Sequence, residues 1–277
     1  MRFDLLMAIA AALHLGDAPA VPHTAVTASP RLAESATTDT IPGSARRALQ
    51  AARAVLGGFG IENASANART SAALNALRHR VSRSSDPDAL RMAFRAYYNY
   101  RAAHPENVRK PYLYFVDYGL DSRTPRGYVF DMERLRVVDG PFAVAHGSGS
   151  EPQRTGVPRR FSNQFGSHAT SLGLFLAQET YNFVGHDSGR PYRSIGLRLT
   201  GLSGVFNNTA RQRGVVMHGA PYVTRLGAGR SQGCPAVEQS RAYWLIPELA
   251  NGSLVFLFSP LDRDWMRSDP WGAGGRG

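Results

Sequence analysis

Hydrophobic residues recur at two spacings along the chain, and the spacing changes near residue 110. Before that point they recur every three or four positions, which is typical of one face of an α-helix. The pattern predicts three short helices, the first starting after Ser44 and the third opened by Asp86 and Pro87. We expect the aromatic stripe of the third helix to pack against the domain that follows. The faces of the three predicted helices carry, in turn, Leu49, Ala52 and Leu56; Leu74, Leu77 and Val81; and Leu90, Phe94, Tyr97 and Tyr98.

From Pro111 onward, short runs rich in aromatic and β-branched residues alternate with Gly, Pro and Asp, which is typical of strands and turns. A helix is predicted at 237–246, and Pro247 should break or kink it. The fold class is therefore a mainly β domain with short helical insertions and mostly antiparallel pairing, preceded by a small α-helical segment. Strands are predicted at 112–118, 127–131, 135–146, 172–180, 194–199, 215–218 and 254–258.

The N-terminus has the features of a secretory signal. Arg2 is followed by an apolar stretch at 5–15 and by a small-residue cleavage pattern at Ala18-Pro19-Ala20. The apolar stretch is too short to span a membrane, so we expect an exported protein of the periplasm or cell wall without a transmembrane segment. The full layout is a signal peptide at 1–20, a flexible linker at 21–43, a helical segment at 44–108, a β-rich domain at 109–260 and a poorly ordered tail at 261–277.

Composition and charge narrow the class of partner. The chain has 277 residues, 43% of them hydrophobic, as expected for a folded protein of one or two domains. The net charge of +11 comes almost entirely from arginine, since Lys110 is the only lysine, and no long basic run occurs. Without a recognisable nucleic-acid-binding motif, we favour anionic cell-envelope polymers as the partner. An Arg-rich nucleic-acid binder, which heparin would retain, is a further alternative.

The chain contains one cysteine, Cys234, and His218 lies sixteen positions before it. A short apolar run directly precedes His218 and predicts a buried strand, and a Gly-rich loop at 227–233 directly precedes Cys234. Thiol catalysis needs a base for the thiol proton and donors for an oxyanion, so these residues form a candidate site. A single cysteine cannot form an internal disulfide, and a free thiol in an oxidising compartment indicates a use.

The residues around Cys234 favour chemistry over packing. Pro235 and the helix-compatible residues after it predict a helix N-terminus at the sulfur, which would lower the thiol pKa. Gly233 would let a substrate carbonyl approach the backbone closely. The alternative is that Cys234 is an inert core residue and His218 a satisfied core histidine.

The stretch from His218 to Cys234 resembles the signature of the L,D-transpeptidases, penicillin-insensitive enzymes that cross-link peptidoglycan. The closest resemblance is to the murein L,D-transpeptidase catalytic-domain branch of the YkuD-like superfamily, and it covers about 111–259. It departs from the better-known branch at Gln232, where that branch has His, and at Pro235-Ala236, where that branch carries an Arg. The matching segments are Tyr-Phe-Val-Asp-Tyr at 114–118, Val-Ala-His-Gly at 144–147, Phe-Ser-Asn at 161–163, Ser-Leu-Gly at 171–173, Val-Met-His-Gly-Ala at 216–220 and Gly-Arg-Ser-Gln-Gly-Cys-Pro-Ala at 229–236.

The resemblance implies a cysteine acyltransferase without a cofactor. Cys234 would attack a stem peptide, release D-Ala and pass the acyl group to another stem, making a 3→3 cross-link. His218 would be the base, oriented by the Ser231 backbone carbonyl. Carbapenems are implied as covalent inhibitors. The other site residues expected are Gly233 and Gln232 in the oxyanion loop, and His146, Gly219, Arg230 and Ser171 in substrate binding.

Other functions remain as alternatives. Water in place of the acceptor amine would make the protein an L,D-carboxypeptidase or hydrolase, and a decayed site would leave a wall-binding module. A zinc peptidase is disfavoured, because His168, His186 and Asp187 do not have a usual ligand spacing. No nucleotide-binding loop or serine-hydrolase elbow occurs. Four residues before the His218 strand are expected to be turn and surface residues: Asn207, Asn208, Arg211 and Arg213.

Overall fold

The computed structural model describes residues 61–151 and 156–274. The predicted signal peptide, linker and first helix lie outside these residues. No helix in the described part of the chain is long and apolar enough to cross a membrane. In order, the described helices are α1 Ile61–Leu77, α2 Ala89–Ala103, α3 Gln239–Leu249 and α4 Arg263–Ser268. The strands are β1 Tyr112–Asp117, β2 Gly127–Asp131, β3 Arg136–Phe142, β4 His146–Gly147, β5 Gly173–Asp187, β6 Arg190–Gly201, β7 Val216–Ala220, β8 Val223–Thr224, β9 Gly227–Ala228, β10 Arg230–Ser231, β11 Ala236–Glu238 and β12 Leu254–Phe258.

Within the described residues, eight strands form one sheet in the order β11-β7-β6-β5-β12-β1-β2-β3. Only the β1–β12 and β11–β7 pairs of this sheet are parallel. Two short pairs, β10–β4 and β8–β9, lie outside it. The predicted fold class, a mainly β domain with helical insertions and mostly antiparallel pairing, is confirmed.

The core is built around the central strand β12, in which every residue is buried. A strand covered on both faces has no polar side to alternate with, which explains its unbroken Leu-Val-Phe-Leu-Phe sequence. Phe256 and Phe258 both contact the ring of Trp265 from α4, with centroids 5.8 and 5.7 Å apart.

The aromatic stripe of α2 packs on the sheet as predicted. Phe94 and Tyr97 are fully buried, and the Phe94 ring meets Phe130 of β2 edge-on at 5.3 Å. Residues of α1, α2 and the sheet belong to the same hydrophobic cluster. The described part of the helical segment therefore shares its core with the β-rich domain.

The prediction of a poorly ordered tail is wrong over its described part. α4 lies within it, Asp262 caps the helix by accepting from the Trp265 backbone N–H at 3.0 Å, and the Trp265 ring is fully buried. The Trp265 indole N–H donates to Asp269 at 3.0 Å. Burial of a large aromatic side chain anchors this segment despite its Gly-rich end.

Two strand predictions had the wrong lengths. β5 and β6 form a long hairpin that extends beyond the predicted 172–180 and 194–199, closed by Ser188 and Gly189 at φ of 52° and 80°. Positive φ at both residues suits a two-residue turn. The outer half of the hairpin carries polar residues, which hid it from a search for apolar runs.

The predicted strand 135–146 is divided into β3 and β4, with cis Pro141 near the end of β3.

Candidate active site

His218 lies in the middle of β7, between β6 and the edge strand β11. Its partners in register are Gly196 on one side and Ala236 on the other. The imidazole is nearly buried and meets the Phe183 ring edge-on, with centroids 5.5 Å apart. The position that a Gly196 Cβ would take is filled by the Tyr181 ring, 2.6 Å away, so only a glycine fits beside the histidine strand there.

The protonation state of His218 follows from its hydrogen bond. Its Nδ1 lies 3.1 Å from the Gly219 backbone carbonyl oxygen. A carbonyl oxygen only accepts, so Nδ1 carries the proton and Nε2 is the basic nitrogen. Burial lowers the pKa of His218, and the bond to Gly219 offsets only part of that shift. The imidazole is therefore neutral near pH 7 and suited to accept a proton.

The carbonyl that orients His218 differs from the one predicted. We expected the Ser231 backbone carbonyl, but the contact is made by Gly219, the next residue on the same strand. Ser231 instead acts through its hydroxyl, which donates to the Cys234 carbonyl oxygen at 2.6 Å and accepts from the Gly233 N–H at 3.2 Å. Ser231 therefore closes the turn that presents the cysteine.

Cys234 is half-buried, and its sulfur lies 3.9 Å from the Gly214 carbonyl oxygen. Burial raises the thiol pKa, while a hydrogen bond from the Val216 backbone and the charge of Arg213 act in the opposite direction. The predicted helix N-terminus is wrong: β11 follows Cys234 and α3 begins only at Gln239. The helix dipole is therefore too distant to lower this pKa, since its effect falls off within one turn.

The helix predicted after Cys234 also differs in its bounds. It covers Gln239–Leu249 rather than 237–246, and Pro247 lies inside its last turn. Ala236 and Val237 are helix-compatible by sequence, yet they form a strand because the edge of β7 supplies a pairing partner.

Gly233 has a backbone that only glycine adopts readily, with φ of +115°. A Cβ at this position would lie 3.0 Å from the Ala169 carbonyl oxygen. Gly147 is packed equally tightly, since a Cβ there would lie 2.7 Å from the Gly233 Cα. Two glycines thus bring three backbone segments together beside Cys234. Gln232, the other predicted loop residue, is exposed.

His146 does not fit the predicted substrate contact, because it is fully buried with both ring nitrogens engaged. Arg126 donates to Nδ1 at 2.8 Å, and Nε2 lies 3.1 Å from a Glu151 carboxylate oxygen. Since Arg126 can only donate, the ring proton is on Nε2 and points to Glu151. Burial, followed by the charges of Arg126 and Arg230, lowers the pKa of His146.

The partly buried Arg230 joins three buried residues in what we call the His146 cluster: Arg126, His146, Glu151 and Arg230. Arg230 forms an ion pair with Glu151 and donates to the Ala228 carbonyl at 3.1 Å. Although burial raises the pKa of Glu151, its bonds to Arg230 and the Gly156 N–H hold that pKa below its ordinary value. The cluster links β4 to β10, whose residues His146 and Arg230 pair in register.

The other two predicted substrate residues also have internal partners. Ser171 is buried and donates to the Ser162 carbonyl oxygen at 2.9 Å. A Cβ on Gly219 would lie 2.7 Å from the Ala242 side chain of α3, so this glycine allows the helix to pack closely.

Two residues that were predicted to lie in surface turns, Asn207 and Arg213, are buried or partly buried and make internal contacts. Asn207 is fully buried, and its amide donates to the carbonyl oxygens of Leu172 and Leu174. Arg213 is half-buried, with its guanidinium beside the cysteine loop. The available signal in the sequence was its position, separated only by Gly214 from the apolar run that precedes His218.

Three tyrosine phenols lie near enough to Cys234 to feel its charge. Burial raises the pKa values of Tyr181, Tyr192 and Tyr222, and each phenol also lies close enough to Cys234 for the thiolate charge to raise its pKa further. Tyr192 and Tyr222 are hydrogen-bonded to each other. In the described ranges, no group of three His, Cys, Asp or Glu side chains is placed to hold a metal ion.

Comparison with known proteins identifies the family. A family model described as L,D-transpeptidase catalytic domain matches residues 82–258, more than half of the chain. The chain belongs to this family, which confirms the resemblance seen in the sequence. No curated protein matches the chain significantly.

Several solved L,D-transpeptidases resemble the chain at low identity. The enzyme from Mycobacterium smegmatis is 15% identical with a TM-score of 0.34, over 53% of this chain and 58% of that chain. LdtMt1 in complex with imipenem is 17% identical with a TM-score of 0.35, over 53% and 59%. The Xylanimonas cellulosilytica enzyme is 17% identical with a TM-score of 0.32, over 54% and 61%. This chain thus spans less than two thirds of the length of each.

Proposed function

We propose that this member of the L,D-transpeptidase family is a cysteine-dependent acyltransferase of peptidoglycan stem peptides, with Cys234 as nucleophile and His218 as base. The observation that carries the proposal is the parallel β7–β11 pair, in which Ala236 lies opposite His218. Cys234 precedes Ala236 by two residues, roughly 7 Å along an extended chain. This register supports the pairing of the Cys234 thiol with the His218 imidazole in the proposed mechanism.

The first half-reaction forms a thioester. His218 Nε2 takes the thiol proton as the Cys234 sulfur attacks the carbonyl carbon between the L-centre of the third stem residue and the terminal D-Ala. The Gly233 N–H already donates to Ser231, so we assign the Cys234 backbone N–H as oxyanion donor. The C–N bond then breaks, and the D-Ala amine leaves with the proton from His218.

The second half-reaction reverses these roles. A side-chain amine of another stem attacks the thioester carbonyl, and His218 takes a proton from that amine. The tetrahedral intermediate expels the Cys234 sulfur, which recovers a proton from His218. The product is a 3→3 cross-linked dimer. If water replaces the amine, the same steps release a tripeptide.

The proposal has a direct test. The chain from residue 21 onward is incubated with tetrapeptide muropeptides, alongside C234A and H218Q, and products are followed by mass. We expect a cross-linked dimer plus free D-Ala, abolished in C234A and reduced about 10²- to 10⁴-fold in H218Q. Fragmentation of the dimer identifies the residues joined.

Two other outcomes would contradict the proposal. Tripeptide and D-Ala without dimer would make the protein an L,D-carboxypeptidase, a reading that the half-exposed Cys234 makes worth testing. No turnover with an unreactive thiol would indicate a wall-binding module. Export to the periplasm or cell wall is a related proposal, tested by fractionating cells that express the full chain and a variant lacking residues 1–20.

Carbapenem acylation follows from the same nucleophile. A β-lactam carbonyl opened by the Cys234 sulfur would add the whole inhibitor to the protein mass. We expect an imipenem adduct on the wild-type protein and none on C234A. Adduct formation that persists in C234A would show that another residue reacts.

A further inference from the structure

Arg213 binds one surface loop with most of its hydrogen-bonding capacity. Its Nη1 donates to the Ser162 carbonyl at 2.8 Å and the Ser171 hydroxyl at 2.6 Å. Its Nη2 donates to the Ala169 carbonyl at 2.9 Å and the Ser167 hydroxyl at 3.2 Å. All four acceptors belong to the segment 162–171, which we call the 162–171 loop. The planar guanidinium gathers this loop around one point.

The 162–171 loop is also the segment that packs on the cysteine loop. The Ala169 carbonyl, which accepts from Arg213, lies 3.0 Å from where a Gly233 Cβ would be. From that same point Arg213 Nη2 is 3.8 Å away. The guanidinium therefore lies next to the peptide that carries Cys234.

The charge of Arg213 is not neutralised by a carboxylate. Its four hydrogen-bond acceptors are two carbonyls and two hydroxyls, all uncharged. No ion pair to Asp or Glu is formed by Arg213 within residues 61–151 and 156–274. A half-buried cation without a counter-ion favours a negative charge nearby.

We propose that Arg213 is a positioning residue of the active site, which braces the 162–171 loop against Gly233 and places an unneutralised positive charge beside the Cys234 sulfur. This role rests on the proposed function for its catalytic meaning, although the charge effect on the thiol does not require turnover. The guanidinium would stabilise the thiolate once His218 has taken its proton.

The other ionisable groups near Cys234 cannot supply this charge. They are the phenols of Tyr118, Tyr181, Tyr192 and Tyr222, whose pKa values burial raises. His218, the proposed base, is kept neutral because burial lowers its pKa. Among the residues described, Arg213 is the one cation whose charge acts to lower the pKa of Cys234.

Thiol titration tests the proposal without peptidoglycan. Because Cys234 is the only cysteine, iodoacetamide alkylation followed by intact mass reports on this sulfur alone. Rates are measured from pH 6 to 11 for wild type, R213Q, R213K and R211Q. Arg211 is the matched control, an exposed arginine two residues away that pairs with Glu179 at 2.7 Å.

The charge predicts a specific order of midpoints. R213Q should raise the alkylation midpoint by about one pH unit and slow alkylation at pH 8 about tenfold. R211Q should match wild type. R213K keeps the positive charge but cannot make the four hydrogen bonds to the 162–171 loop. Its alkylation midpoint should therefore remain near that of wild type, while its kcat for transpeptidation falls. An equal plateau rate at high pH shows that access to the sulfur is unchanged.

The proposal fails if folded R213Q titrates like wild type. If R213Q does not unfold cooperatively on heating, it is not folded and R213K becomes the deciding variant. Because R213K keeps the positive charge, an alkylation midpoint raised by about one pH unit in R213K would also overturn the proposal. The alkylation midpoints of the variants could shift as expected while the wild-type protein fails to cross-link muropeptides. That result would contradict the proposed function and still support the charge effect of Arg213 on Cys234.

Discussion

Ala236 lies directly opposite His218 in the parallel pair of β11 and β7. The element that follows Cys234 is therefore a strand paired with the histidine strand, and no helix N-terminus lies at the sulfur. Because burial raises the thiol pKa and lowers that of His218, we expect a neutral thiol and neutral imidazole before substrate binds. Under the proposed function, His218 would then act as a general base during the attack.

The pH dependence should reflect that neutral pair. The midpoint of the acid limb of kcat/KM should lie below pH 6.5, the ordinary pKa of histidine, because burial disfavours the imidazolium form of His218. The alkylation rate of Cys234 should keep rising above pH 9.0, the ordinary pKa of a cysteine thiol, because burial raises the pKa of this one. A plateau of alkylation between pH 5 and 8 would instead indicate a preformed thiolate–imidazolium pair.

Removal of the Ser231 hydroxyl should reduce catalysis although the backbone carbonyl remains. S231A loses the bonds to the Cys234 carbonyl and the Gly233 N–H, so kcat/KM should fall about tenfold, equivalent to about 1.4 kcal/mol. S240A, an exposed serine on α3, is the control and should be unchanged. Equal activity of the two variants would show that the turn does not need the hydroxyl.

A side chain at Gly233 should displace the cysteine. G233A combines a disfavoured φ of +115° with a Cβ 3.0 Å from the Ala169 carbonyl, and a displacement near 1 Å can reduce turnover about 100-fold. G189A is the control, because Gly189 also has positive φ but open space around it. G189A should lose only about 1 kcal/mol of unfolding free energy and keep wild-type turnover. Comparable turnover in both variants would contradict the close packing at Gly233.

The His146 cluster should be sensitive to the loss of its carboxylate. E151Q removes the carboxylate that faces the buried Arg126–His146 pair and the partly buried Arg230, and it should reduce the unfolding free energy by about 3 kcal/mol. E133Q, which breaks the exposed pair with Arg101, should cost less than about 1 kcal/mol. Urea denaturation measures both.

Acidification provides a second check on Glu151. Its folded-state pKa is lowered, so its stabilisation is present above pH 4.5, the ordinary carboxyl value, and is lost as the pH falls through the folded pKa. The difference between wild type and E151Q should therefore shrink with acidification. A difference that is constant from pH 7 to 3 would show that the carboxylate charge is not responsible.

The β-rich fold class and the buried strand β12 could both be predicted from sequence, and the Cys234–His218 pair is the candidate site that the sequence proposed. Each depends on a local signal: an alternation, an unbroken apolar run, or a motif in which glycines flank a nucleophile. The aromatic face of α2 was predictable for the same reason, since helical periodicity shows which side chains face the core.

The errors occurred where a residue's role depends on a distant segment. Ala236 and Val237 form a strand because β7 offers an edge, and Trp265 orders the tail because β12 offers an aromatic surface. His146 and Arg230 resembled substrate residues until Glu151 and Arg126 were seen to satisfy them inside the protein.

Local chemistry in the chain was thus enough to propose a thiol site from a cysteine, a histidine and the glycines around them. The ionisation of that site depended on folding, because pKa values follow burial and neighbouring charges, which segments far apart in sequence supply. Arg213 shows this most clearly. It resembles a surface arginine in the sequence, and only the folded 162–171 loop holds its charge beside Cys234.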